Sequence, residues 1–307
     1  MQSDASLSEK LSSILMRGVS TRNYEAVIPE MADTCGVSKS SVSREFVAAS
    51  AEQLRALCER RFDDRDLLVI YIDGVQFGGH HVIVAIGVDS DGRKHVLGLA
   101  EGASENAVVV KGLLEDLVER GVDPRRKRLF VIDGSKALRK AIDAVFGTDN
   151  LVQRCRNHKI ENVVGHLPEE LKDQVKSVMK AANKLDADEG IGKLKQQARW
   201  LETEHPSAAA SLLEGIDEIF TINRLGLPPK LRRCLATTNI VESPTSGVRL
   251  RTRRVTNWKN GSMVLRWAAA AYLETEKSFR KIIGYQELWT LKAALDRHET
   301  DRQERVA

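Results

Sequence analysis

"RLFVIDGSKALRKAI", residues 128–142, is the stretch on which the fold turns. Leu129 to Ile132 is a short run of β-branched and large apolar residues, the pattern of a strand buried on both faces. The run ends on Asp133 and Gly134, and "SKALRKAIDAVFG" then repeats apolar residues at helical spacing. The same ending occurs upstream in "LLVIYIDGV", residues 67–75, where a strand-like run drives into Asp73 and Gly74. A single carboxylate at a strand end is commonly a turn former or a helix cap. Two apolar runs that close on the same Ile-Asp-Gly tripeptide call for a shared reason.

The segments between them supply it. "LLVIYID", "HHVIVAIGVD" and "KHVLGLAEG" read as three strands, and "DSDGR" between the last two has the Asp-Gly chemistry of a tight hairpin turn. An antiparallel meander follows. "SENAVVVKGLLEDLVERG" then opens on a capping serine, Ser104, carries apolar residues at helical spacing, and stops at Gly121. A strand reached through such a crossover helix returns parallel to one already in the sheet. With the first strand as its neighbour, Asp73 and Asp133 lie side by side. "DNLVQR" adds a fifth strand. The expected fold is α/β, with the strand and helix order of a ribonuclease H-like mixed five-stranded sheet flanked by helices.

Two adjacent carboxylates repel, and each raises the other's pKa unless a cation sits between them. Mg²⁺ suits such a place, since it takes hard oxygen ligands and is commonly held by one or two carboxylates plus phosphate oxygens.

The flanking regions carry other signals. In residues 19–46 two short helical patterns are separated by "CGVS", where Gly36 suits a turn and Ser38 a helix cap. This predicts a helix-turn-helix whose second helix presents Lys39, Ser40, Ser41 and Arg44 to phosphates and base edges. A plain helical hairpin packed on the main domain accounts for the same pattern. The organisation expected is a reader over 1–50, a linker helix over 51–66, a first core segment over 67–155, an all-helical insertion over 156–235, a second core segment over 236–295 and a charged tail over 296–307. After Glu242, residues 243–273 contain six Arg or Lys and no acid. Arg249, Arg251, Arg253 and Arg254 form the densest part of that footprint for a phosphate backbone, and Trp258 is placed to stack on a base.

Composition alone is less telling. The 307 residues hold 47 Lys plus Arg against 43 acids, a formal net charge of +4 that by itself implies no polyanionic partner. A charged fraction of 29% and a hydrophobic fraction of 42% exclude a mostly disordered chain. No apolar stretch approaches a membrane span and the N-terminus lacks the order of a signal peptide, so a cytoplasmic location is expected. Four scattered cysteines are expected as thiols there.

Taken together, "YIDG", "VIDGSKALRKAI", "CRNH", "TTNIVES" and "VRLRTRR" resemble the Mutator-type bacterial insertion-sequence transposases, a branch of the DDE transposases, across roughly residues 19 to 290. The resemblance implies that Asp73, Asp133 and Glu242 are catalytic and hold two Mg²⁺ or Mn²⁺ ions. It also implies that the helical insertion separates the last two, matching the 108 residues between them. The implied partners are DNA, as element terminal inverted repeats and target, and further copies of the chain in a homo-oligomer associated with the bacterial nucleoid. Cys155 and His158 match the family's Cys-x-x-His pair, with a role in positioning strands. Zinc is disfavoured because no second pair at ligand spacing lies nearby. Lys136 and Arg139 stand one helical turn beyond Asp133, where they reach the substrate backbone or simply make a solvated face. Pro244 requires Glu242 to lie near the start of its helix. A catalytically inactive helix-turn-helix repressor and a ribonuclease H-like junction nuclease are the competing readings.

Overall fold

The computed structural model describes residues 39–102 and 106–306. Helix α1 (Lys39–Glu59) leads into β1 (Leu67–Phe77), β2 (His80–Asp89) and β3 (Lys94–Glu101), then α2 (Ala107–Glu119), β4 (Leu129–Ile132), α3 (Lys136–Phe146) and β5 (Leu151–Arg154). The five strands form one mixed sheet in the order β3-β2-β1-β4-β5. β1 pairs antiparallel with β2 and parallel with β4, and β4 pairs parallel with β5. The meander and crossover expected from the sequence are all present.

Strand alternation separates two cores. Val69, Tyr71, Val75, Leu129 and Val131 face one layer, and Ile70, Ile72, Phe130 and Ile132 face the other. The second layer is closed by α2 and α3 through residues such as Leu114, Leu117, Leu138 and Ile142. The first is covered by α11 (Asn239–Thr252), α12 (Gly261–Glu276) and α13 (Leu288–Val306), through Val241, Val248, Ala268 to Tyr272 and Leu291. Asp73 and Asp133 share the parity of Tyr71 and Val131, so both belong to the face that α11 crosses.

One sequence expectation changes in detail. Asp73 does not end its strand: β1 runs on to Phe77, pairing Gly74 with Ile83 and Phe77 with His80. The parallel neighbour β4 stops at Ile132, directly beside Ile72. The two acids thus sit level with each other, where one half of the sheet ends and the other continues as a hairpin. Gly134, at φ +105°, takes a backbone conformation that other residues rarely adopt and turns the chain from β4 into α3.

Between β5 and α11 the chain is helical, as expected: α4 (Arg156–Val164), α5 (Glu169–Ala182), α6 (Ala187–Glu202), α7 (Pro206–Leu213), two single turns α8 (Ile216–Ile219) and α9 (Thr221–Arg224), and α10 (Pro229–Leu235). Ile160, Val175, Met179, Leu194, Leu212 and Phe220 contribute to a third core. The edge of β5 is capped by this unit rather than left open: Gln153 Nε2 donates to Ile219 O (2.9 Å), Ile222 N to Gln153 Oε1 (3.1 Å) and Thr221 Oγ1 to Val152 O (2.6 Å).

The first helix and turn of the expected helix-turn-helix lie outside the described residues, as do the side chains of Lys39, Ser40 and Ser41. What is described is one unbroken helix, α1, that runs across the expected boundary between reader and linker. Phe46 packs on Trp267 with ring centroids 4.3 Å apart, and Arg266 Nη1 donates to Ser50 Oγ (3.2 Å), so α1 is anchored to α12. The expected charged tail continues α13.

Gly190 of α6 tests the packing of the helical unit. A Cβ there would lie 2.2 Å from Phe220 Cε1 and 2.8 Å from the Ala182 carbonyl oxygen, whereas Gly192 has nothing within 4 Å. Gly190→Ala is expected to lose about 1–3 kcal/mol through overpacking. Gly192→Ala is expected to gain up to about 1 kcal/mol from helix propensity. Urea midpoints followed by circular dichroism check both signs.

Candidate functional site

The site is assembled from the level ends described above. Asp73 is 7% exposed and accepts a hydrogen bond from the Gly74 N–H (2.9 Å). Asp133, one residue past β4, accepts from the Ser135 N–H (2.8 Å) as the chain turns into α3. Both line a polar cleft of about 850 Å³ together with Gln76, His81, Lys136, His158 and Arg249. Burial is the main reason that the Asp73 carboxyl is pushed up to about 6. Asp133 raises it further, while His158, the Gly74 N–H and the Thr238 hydroxyl act against the rise.

His158 comes from the first turns of α4 and carries the opposite charge. Its hydrogen bond with Cys155 is the chief cause of a pKa pushed up to about 9; burial opposes that rise, and the Cys155, Asp73 and Asp133 charges support it. Burial alone would raise the Cys155 thiol. Hydrogen bonds from His158 and Thr238 outweigh it and hold the thiol below its ordinary value. Cys155 and His158 thus shift each other toward their charged forms beside the acids.

Glu242 arrives from α11, where Thr238 is the N-cap position and Glu242 lies in the first turn. The carboxylate is favoured there by the helix dipole. Pro244 falls inside the same helix, two residues further on, and the early place of Glu242 meets the condition that the sequence set. Thr238, fully buried, ties the pieces together. Its hydroxyl donates to Glu242 Oε1 (2.9 Å), its N–H to Cys155 Sγ (3.4 Å), and its Oγ1 lies 3.4 Å from His158 Nδ1. Cys155, His158 and Glu242 present donor atoms all within 4.8 Å of one another, the one such group of three among the described residues. Asp73 and Asp133 stand outside that group, linked to it through His158 and Thr238.

The basic residues divide. Arg249 lines the cleft, and Arg253 and Arg254 are exposed. Lys136 is exposed at the cleft and pairs with Glu214 (3.2 Å). Arg139 is held by Asp143 and Glu218, an arrangement that locks α3 to the helical unit. Arg251 Nε donates to Thr275 Oγ1 (3.1 Å), against α12. Arg44 is exposed on α1. Trp258 is half-buried, in edge contact with Phe77 (5.7 Å) and Trp267 (6.5 Å), and its ring closes over Gly78 at the hairpin tip. Sequence reasoning missed Thr238, Gln76, His81 and Asn162. Thr238 stands in the quoted "TTN", but a buried threonine carries no chemical signature in a sequence; His81 and Gln76 were absorbed into strands.

The mixed sheet sets Asp73 and Asp133 level at the end of β4, and the first turn of α11 brings Glu242 to Cys155 and His158 beside them. The sequence matches the family described as Transposase, Mutator family, over residues 1–281. The chain belongs to that family. It is 27% identical over 258 residues to the transposase for insertion sequence element IS6120 of Mycolicibacterium smegmatis, covering 80% of this chain and 77% of that one. It is 27% identical over 296 residues to the transposase for element ISRM5 of Rhizobium meliloti, covering 92% and 72%. The transposase for element IS256 in transposon Tn4001 of Staphylococcus aureus is 25% identical over 309 residues, covering 93% and 75%. Among the described residues no helix is long and apolar enough to cross a membrane.

The Asp73 shift has a signed consequence in protein kept free of divalent ions. A carboxyl with its folded pKa near 6 and its unfolded pKa near 3.8 costs stability as pH rises through that window. Asp73→Asn removes the cost. The variant is expected to be more stable than the wild type by about 1–3 kcal/mol above pH 6, with the gap closing toward pH 4. Urea titrations in chelator across that range measure it.

Proposed function

We propose that this chain is a DDE-type DNA transposase with a ribonuclease H-like core, cutting the ends of its insertion sequence and joining the 3′-hydroxyl ends to target DNA. The observation that carries the reading is the level placement of Asp73 and Asp133 beside β4's end, with Glu242 on the helix crossing the same face.

The donor set fits a pair of hard cations. All three proposed ligands are carboxylates, and the buried Asp73 beside Asp133 is held in the protonation conflict that a cation relieves. Asp73, Asp133 and Glu242 would hold the ions, two Mg²⁺ or Mn²⁺. Such ions supply polarisation of the scissile phosphate and a more acidic attacking water or 3′-hydroxyl.

The chain's own groups do the rest. Arg249 and Lys136 line the cleft and would neutralise phosphates entering it. The Cys155–His158 pair and Thr238 brace the start of α11 and hold the Glu242 carboxylate in place. Cutting and joining are then the same displacement with different nucleophiles at one site. Two element ends must be handled in concert, which calls for a homo-oligomer.

Asp73→Asn and Asp133→Asn are each expected to lower Mg²⁺- or Mn²⁺-dependent cleavage of element ends at least about a hundredfold. Supplying a precut 3′-hydroxyl end with target DNA is expected to yield joined product from the wild type. Cleavage without joining would mark a nuclease, and undiminished cleavage by Asp73→Asn would overturn the site.

Thr238→Val removes the hydroxyl on Glu242 and is expected to depress kcat with little change in DNA affinity, while Thr238→Ser restores most of it. Single-turnover cleavage rates beside binding titrations separate the two effects.

A further inference from the structure

A second cleft, of about 480 Å³, opens at the other end of the sheet, where β1 and β3 begin. Its walls carry Arg60, Arg65, Arg93, Lys94 and Lys281, with Glu276 as the one acid among its lining residues. Glu276 is already engaged, bridging both terminal nitrogens of Arg60 and accepting the Val96 N–H at 2.7 Å. Two other nearby acids are engaged too. Asp89 takes the Asp91 and Arg93 N–H groups on one oxygen and His95 Nε2 on the other, fixing the tight turn that offers Arg93 and Lys94. Asp66 pairs with Arg126 and Lys292. Among the described residues no carboxylate is paired with Arg93, Lys94 or Lys281.

Lys94 and Arg65 show that this charge is not idly solvated. The Lys94 ammonium sits 4.9 Å above the Phe279 ring, and burial lowers its pKa. Arg65 turns Nη1 onto His95 Nδ1 (2.7 Å), and its Nε is buried without a hydrogen-bond partner. Since arginine only donates, His95 accepts on that nitrogen and gives its proton to Asp89 through Nε2. Glu276 pairs with Arg60 and Asp64 Oδ1 lies 3.8 Å from Arg65 Nε, so Arg93, Lys94 and Lys281 leave this partly dried cluster with an excess of positive charge that suits an anion.

We infer that this cleft binds the phosphodiester backbone of a DNA segment away from the one whose bond lies at the acids. The inference rests on the transposase reading for its choice of polyanion. Arg65 lies two residues before β1 and eight before Asp73, so the two are at most about 26 Å apart at the rise of a strand, or about eight base pairs of duplex. A phosphate in the second cleft therefore belongs to flanking or separate DNA and steadies it while the reacting end is held at the acids.

The test is the salt dependence of binding to a labelled duplex by the full chain. Arg93→Gln/Lys281→Gln changes two exposed side chains at the cleft; Lys193→Gln/Lys195→Gln makes the same charge change on the exposed side of α6. Losing two phosphate contacts is expected to weaken DNA binding and reduce the slope of log K against log salt by about 1.8. The α6 variant is expected to keep the wild-type slope, and both are expected to keep the wild-type melting temperature. Equal slopes in all three proteins overturn the inference, as does an equal fall in both variants. Inorganic phosphate is titrated separately: if it raises the melting temperature of the wild type but not of the cleft variant, with DNA slopes unchanged, the cleft serves a free anion and the DNA assignment fails. The catalytic reading is judged apart from this, by Asp73→Asn cleavage, so either can fail without the other. A wild type that binds no DNA overturns both.

Discussion

The register of one parallel strand pair governs this protein. Ile72 lies opposite Ile132, and the next residue on each strand is an aspartate. A slip of one residue would send one of the acids through to the opposite core, among Ile70, Phe130 and Leu138, where a carboxylate has no partner. The register is fixed by continuous apolar packing on both faces of β1 and β4, so the electrostatic strain at Asp73 is sustained by hydrophobic burial elsewhere in the same strands.

That strain organises its surroundings. His158 is drawn toward the charged form by Cys155 and by both aspartates, and Thr238 spreads its hydrogen bonds over a sulfur and a carboxylate that come from different parts of the chain. Around the acids, opposite charges are close and mutually committed. At the far end of the sheet the pattern inverts, and cations remain after Glu276, Asp89 and Asp66 have been spoken for. The sheet thus has one acidic end and one basic end, joined by β1. A polyanion that engages both is held at two points set apart by the length of a strand.

The helical unit between β5 and α11 is more than a spacer. It caps the open edge of β5, its Glu218 neutralises Arg139 and Arg154 beside α3, and its α10 delivers the chain to the start of α11. The unit thus ends just ahead of α11, the helix that carries Glu242 in its first turn.

The sequence by itself determined the five strands, their meander and crossover and the side-by-side aspartates, because periodicity, turn chemistry and the handedness of crossovers are local rules with few global solutions; for Glu242 it set only the condition that Pro244 imposes on its place in the helix. It also carried enough motif order to identify the family. Tertiary structure alone decided that β1 continues past Asp73, since only pairing with β2 extends it. It likewise decided that Arg139 is consumed by Asp143 and Glu218, that Trp258 packs on Phe77 and Trp267, and that Thr238 joins Cys155 to Glu242. An exposed cation and a paired one, or a stacking tryptophan and a packed one, are spelled identically. What separates them is which distant side chain arrives within a few ångströms, and that is settled by how the layers close over the sheet rather than by any neighbour in the chain.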